Sequence, residues 1–268
     1  MKVLVLGHTG MLGDAVYRYF ERQGYELETL PIGYRWPSAE MQRLIINSTA
    51  SWIINCIGAI PQRKPQDHEY FELNSRLPFF LCGIPSKKII HASTDCEFSG
   101  KISPDAFYHE DDYLDATDLY GISKAIPAEF INQSGLNHVK MIRASIVGIE
   151  TGTNFSLLNW FLSATDKKEN ITGFTNHYWN GITTLEWARV ADSIIRSNSE
   201  TVLYQIASQK VSKYQLLNIM ADVFRPGYPI KQAEHSKYHN KCLATKWPVR
   251  DIAILLKELQ EFYRLQNA

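Results

Sequence analysis

The sequence predicts an α/β fold, a doubly wound parallel sheet carrying a small C-terminal lobe. Three observations predict it. Short apolar runs alternate along most of the chain with longer segments of helical period, the pattern made by parallel strands joined through crossover helices. Most of the strand-like runs are bare of polar residues, as for strands covered on both faces. The first run, Val3–Leu6, passes directly through a glycine-rich turn into a helical segment, Met11–Gln23.

The elements follow in order. Strands are expected near Val3–Leu6, Glu26–Leu30, Trp52–Cys56, Lys88–Ala92, Val139–Arg143 and Leu203–Ala207. Helices are expected over Met11–Gln23, Leu119–Gln133, Leu185–Arg196, Lys213–Phe224 and Arg250–Leu265, with Ser212 as N-cap of the fourth. The opening βαβαβ order is that of a doubly wound sheet. Beyond about Gly148 the regularity weakens, and Pro226, Gly227, Pro229 and the polar stretch to Asn240 read as irregular connections. Trp160 and Phe161 lie in an apolar helical pattern and are expected in the core.

Composition narrows the function classes. A chain of 268 residues that is 45% hydrophobic buries one substantial core with room for an appended lobe. Lys+Arg and Asp+Glu number 28 each, so no basic surplus marks nucleic acid or a membrane surface as a partner. Cys56, Cys82, Cys96 and Cys242 form no C-x-x-C pair and have no His at zinc-finger spacing, which fits reduced thiols and a cytoplasmic location. No apolar run reaches the roughly 18 residues of a membrane span, and the apolar start is too short for a signal peptide.

Three motifs carry chemistry. Gly7-His8-Thr9-Gly10-Met11-Leu12-Gly13 follows the first strand and opens the first helix, where glycines let backbone approach a pyrophosphate and the helix N-terminus stabilises its charge. The bland alternative is a tight turn without a ligand. His8 reads as a spacer, not a proton carrier. Tyr120 and Lys124 lie four residues apart, on one helix face, where an ammonium would lower the phenol pKa toward neutrality. With 14 tyrosines in the chain, roughly one such spacing arises by chance, so position must decide. Ser93-Thr94-Asp95 leaves the C-terminal end of the fourth strand, the edge at which such sheets bind ligands. Thr94 is the candidate donor to a substrate carbonyl, with a plain cap of the next turn as the alternative.

The order and spacing of these blocks resemble the extended short-chain dehydrogenase/reductases, and within them the group of dTDP-4-dehydrorhamnose reductase. The S-T-D-x-V-F-x-G motif of that group matches Ser93–Gly100 except at Glu97, and Tyr120-Gly121-x-x-Lys124 matches as well. The resemblance implies a Rossmann-like domain over 1–148, with 184–208 returning to it, and a substrate-binding lobe from 149–183 and 209–268. It implies reduction of a keto group, at C4, on a nucleotide-linked deoxy sugar. Tyr120 would donate the proton, Thr94 would orient the carbonyl with Asp95 nearby, and Lys124 would hold the nicotinamide ribose. Cys56, Ile57 and Gly58 would cover the cofactor, with Asn74 in the next helix. Arg143, Asn154 and Phe155 are expected at the substrate, as are Thr153, residues 176–180 and residues 238–247.

Departures from the family pattern limit the carry-over. Glu97 replaces an apolar residue and, if strand-like, would point away from the site. Pro127 would bend the catalytic helix after Lys124. No carboxylate set matches the metal ligands of some relatives, so no metal is expected. Cys96 stands where related dehydratases carry a Glu, which speaks against dehydration; a sugar-nucleotide epimerase and a non-catalytic NADP-binding regulatory subunit, like that of methionine adenosyltransferase, remain as alternatives. Arg35, the first cation after the second strand, favours NADP(H) over NAD(H), although a solvated loop arginine is the plain reading. Relatives are often dimers through helix pairs, making a homodimer the candidate assembly.

Overall fold

A computed structural model describes residues 1–151, 154–197 and 199–264. The chain begins with β1 (Lys2–Leu6), α1 (Met11–Arg22), β2 (Glu26–Thr29), α2 (Ala39–Asn47), β3 (Trp52–Asn55), α3 (Asp67–Phe71), α4 (Leu77–Cys82), β4 (Lys88–Ser93), α5 (Leu119–Gln133) and β5 (Val139–Arg143). There follow β6 (Ile146–Val147), α6 (Leu157–Asp166), β7 (Ile171–Phe174), β8 (His177–Trp179), β9 (Ile182–Thr183), α7 (Thr184–Ser197) and β10 (Leu203–Gln205). The chain ends with β11 (Val211–Ser212), α8 (Lys213–Phe224), β12 (Ile230–Ala233), β13 (His239–Asn240) and α9 (Ile252–Arg264).

Six strands form one parallel sheet in the order β10-β5-β4-β3-β1-β2. The chain leaves β1 toward β2 on one side and resumes at β3 on the other, so a crevice opens at the C-terminal ends of β1 and β3. Period-two alternation divides the core: Val3 and Val5 join Ile54 and Ile90 in one apolar cluster, while Leu4 and Leu6 join Ile53 and Ile89 in the other. The first cluster takes in Val16 and Phe20 of α1 and Val190 and Ile194 of α7; the second takes in Ile45 of α2, Leu81 of α4 and Ile131 of α5. Each fully buried side chain of this kind contributes about 1.5–3 kcal/mol.

Beyond the central sheet lie three small sheets, β11-β8-β13, β12-β7 and β6-β9; α8 packs on the first two and α6 packs on α8. Ser212 caps α8, its Oγ accepting the Gln215 N–H at 3.1 Å within a capping box. The helix α9, grouped with the lobe by sequence position, reaches back to α1: Arg22 donates to the Phe262 carbonyl and Tyr263 to Asp14. Two expectations are corrected here. Phe161 is fully buried but Trp160 is 43% exposed, because successive helical residues point about 100° apart and both cannot face one core. α5 runs unbroken through Pro127. Among the described residues no helix is long and apolar enough to cross a membrane.

Candidate active site

The glycine turn after β1 meets the criteria for a dinucleotide cradle. Gly7 has φ +80°, and a Cβ on Gly13 would lie 2.0 Å from the Gly7 carbonyl oxygen, so only glycine lets α1 start this close to the strand. Gly10 caps α1 without any side-chain hydrogen bond, and a Cβ there would meet only the Gly7 carbonyl oxygen, at 3.4 Å. The first N–H groups of the helix could therefore hold a phosphate. Gly7 also abuts Cys56 and Ile57, which places the loop after β3 along the same cradle. Asn55 shapes that loop, its Oδ1 accepting the Ile57 N–H at 3.1 Å while its amide meets His91 Nδ1 at 3.1 Å.

Lys124 reaches this loop from α5. A Cβ on Gly58 would lie 3.1 Å from Asn74 Oδ1 and 3.3 Å from Lys124 Nζ. The ammonium donates to the Ala92 carbonyl on β4 at 3.0 Å. Asn74 accepts the Ala59 N–H and donates to the Ala59 carbonyl and to Ser123 Oγ, so it joins the β3 loop to α5. Asn74 and Ser75 occupy a π-helical turn, Glu72–Arg76, between α3 and α4. Such turns recur at functional sites.

Thr94 and Tyr120 meet because Gly121 lets them. Asp118 caps α5 by accepting the Gly121 N–H at 2.8 Å, and a Cβ on Gly121 would stand 2.3 Å from the Cys96 carbonyl oxygen. The first turn of α5 thus lies directly on the turn Asp95–Glu97. Thr94 caps that turn, accepting the Cys96 N–H and donating to Asp95, so the bland reading of the triplet is realised alongside its placement against Tyr120. Burial pushes the Tyr120 phenol up, neighbouring anionic groups push the same way, and a hydrogen bond with Thr94 opposes them. Burial lowers Lys124 to about 8. The expected direct tuning of Tyr120 by Lys124 is not what the geometry produces: the ammonium faces Ala92 and Gly58, and desolvation dominates the phenol.

Other expected residues fall in different places. Glu97 is not strand-like; it closes a 3₁₀ turn and is fully buried. Arg143, expected at the substrate, is 1% exposed and spends its guanidinium on Glu97 at 2.7 Å and Gln205 at 3.0 Å, as an internal strut. Phe155 is 44% exposed, with Arg63 over its ring at 5.7 Å and its N–H on Glu150; Asn154 is exposed beside it, and Thr153 lies outside the described residues. Asn180 is a buried clamp on both backbone groups of Leu243. Arg35 is exposed in the loop after β2. Sequence reasoning passed over Ser75 and Ser123; the one available cue was a proline four residues after Ser123.

The sequence pattern of the family described as RmlD substrate binding domain matches residues 1–241. The spore coat polysaccharide biosynthesis protein SpsK of Bacillus subtilis (strain 168) is 28% identical over 164 residues, 58% of this chain and 56% of that protein, so the match spans about half of the relative's length. Among solved structures, dTDP-4-dehydrorhamnose reductase from Bacillus anthracis in complex with NADP superposes with a TM-score of 0.83 at 13% identity, covering 97% of each chain. The dTDP-glucose 4,6-dehydratase of the same organism, in complex with NAD, gives 0.76 at 14% identity over 99% of this chain and 97% of that one. These likenesses establish the fold, and the family match extends over most of the chain. The protein belongs to the RmlD substrate binding domain family, and its six-stranded parallel sheet gives it a Rossmann-like α/β architecture.

Proposed function

We propose that this chain is an NAD(P)H-dependent reductase of a keto group, at C4, on a nucleotide-linked deoxy sugar. The observation that carries the reading is the junction of Thr94 and Tyr120 at the mouth of a dinucleotide cradle whose far wall, Gly58, is touched by Lys124. Bound NADPH or NADH would supply the hydride. Tyr120, held neutral by burial, is a proton donor for the carbonyl oxygen, and the Thr94 hydroxyl stabilises the charge developing there. Lys124 presents its ammonium beside Gly58, where a ribose hydroxyl would accept from it. NADPH is the preferred donor in this reading, through Arg35. Asn154 and Phe155 border the sugar nucleotide in this reading, within the substrate lobe expected from 149–183 and 209–268. A homodimer belongs to the same reading: Phe79 and Phe130 are exposed in edge contact at 5.2 Å, with Ile126 one turn away. The four cysteines are free thiols, in keeping with the cytoplasm.

NADPH oxidation followed at 340 nm with a panel of nucleotide-linked 4-keto sugars tests this reading. Wild type is expected to turn over, and Tyr120→Phe to lose at least about 100-fold in kcat while still binding NADPH. Dinucleotide binding without oxidation on any keto sugar would favour epimerisation or a regulatory role instead.

A further inference from the structure

The turn beneath Tyr120 contains a buried charge that the proposed chemistry leaves unused. Glu97 is 0% exposed, and each carboxylate oxygen is engaged. Oε1 accepts the Ser93 hydroxyl and the Thr94 N–H; Oε2 accepts the Arg143 Nε–H at 2.7 Å. Arg143 is held in turn by Gln205 Oε1 at 3.0 Å. A buried ion pair adds little net stability, since desolvating two charges offsets their attraction, and an apolar residue fills this place in the reductases the sequence resembles. What the pair does hold is the backbone that presents Thr94.

Lys124 lies on the same stretch of backbone: its ammonium donates to the carbonyl of Ala92, and the hydroxyl of the next residue, Ser93, donates to Glu97. The groups that raise the ammonium are Glu97 in the turn, Cys56 after β3 and Cys96 in the turn, while His91 on β4 is itself lowered by Lys124. Burial keeps both thiols protonated, Cys96 at about 12, and keeps the His91 imidazole neutral. Glu97, held in its ion pair with Arg143, is the foremost of the groups that raise Lys124 against the desolvation that lowers it.

We propose that Glu97 is a positioning residue of this site: anchored by Arg143, its carboxylate holds Ser93 and Thr94 beneath Tyr120 and stands as the counter-charge of Lys124. What the positioned groups do rests on the reductase reading; the placement and the charge do not.

The test titrates Lys124 by ¹³C NMR of labelled lysine ε-carbons, its signal assigned by loss in Lys124→Arg, with no dinucleotide or sugar present. The wild-type midpoint is expected near 8. Glu97→Gln, which keeps the shape of the side chain, is expected to lower it by about one unit and to reduce kcat about tenfold at pH 7.5 with little change in KM. Should Glu97→Gln not fold, Glu97→Val combined with Arg143→Met removes the pair at similar volume and is expected to lower the midpoint likewise. A folded variant of either kind that keeps the wild-type midpoint overturns the proposal. A wild-type protein that binds NADPH but fails to oxidise it with every keto sugar of the panel would sink the reductase reading alone, since the NMR midpoint still decides the role of Glu97.

Discussion

Ser75 makes the hydrogen bond that Pro127 cannot. In α5 the Ser123 carbonyl would accept the N–H of residue 127, and proline has none. The Ser75 hydroxyl, from the π-helical turn, donates to that carbonyl at 2.6 Å, so the helix passes through the proline unbroken and Lys124 stays in line with Tyr120. Ser75→Ala leaves a buried carbonyl unpaired and should cost about 1–3 kcal/mol in urea unfolding. Pro127→Ala restores the N–H, so in that background Ser75→Ala should cost less than about half as much. Equal costs in the two backgrounds would show that the residues are not coupled.

Lys124 also makes stability depend on pH. Its folded pKa, about 8, lies below the ordinary 10.5, so the unfolded chain binds more protons between those values and stability from this group rises as pH increases through that window. Below pH 8 the buried ammonium costs about 3 kcal/mol. Lys124→Met should therefore melt higher than wild type at pH 7, with the gap shrinking toward pH 10.5, while turnover is lost. Raised cysteine and tyrosine pKa values act in the opposite direction but are common to both proteins, and the difference between the two melting curves isolates the lysine.

Gly121→Ala places a methyl 2.3 Å from the Cys96 carbonyl oxygen and 2.7 Å from Ala116 Cβ. Backbone must shift, at about 1–3 kcal/mol, and the shift separates Tyr120 from Thr94. The expected result is a fall of about 100-fold in kcat with the dissociation constant for NADPH changed less than threefold, since the glycine turn after β1 is untouched. Equal loss of cofactor binding would place the damage elsewhere.

Arg35 is exposed in the loop that follows β2. If it receives the 2′-phosphate, Arg35→Ala should weaken NADPH about tenfold and leave NADH unchanged, read by cofactor fluorescence. Parallel weakening of both would remove Arg35 from cofactor selection.

The sequence by itself determined the parallel sheet, the glycine cradle and the helical face shared by Tyr120 and Lys124. All three are local: strand burial shows as unbroken apolar runs, a close turn shows as glycine, and a helix brings residues four apart together wherever it lies. Thr94 was legible for the same reason, as the residue leaving a strand end. The roles of Glu97, Arg143 and Ser75 were decided by tertiary structure alone. Glu97 lies 46 residues from Arg143, and Ser75 lies 48 from Ser123. No periodicity links such pairs; only the crossover order of the sheet and the packing of α5 on the turns beside it bring the charges and the orphaned carbonyl within reach. A glutamate read as pointing away from the site is buried beneath it, and a proline read as a kink is absorbed, because buried polar groups are set by the partners that packing supplies.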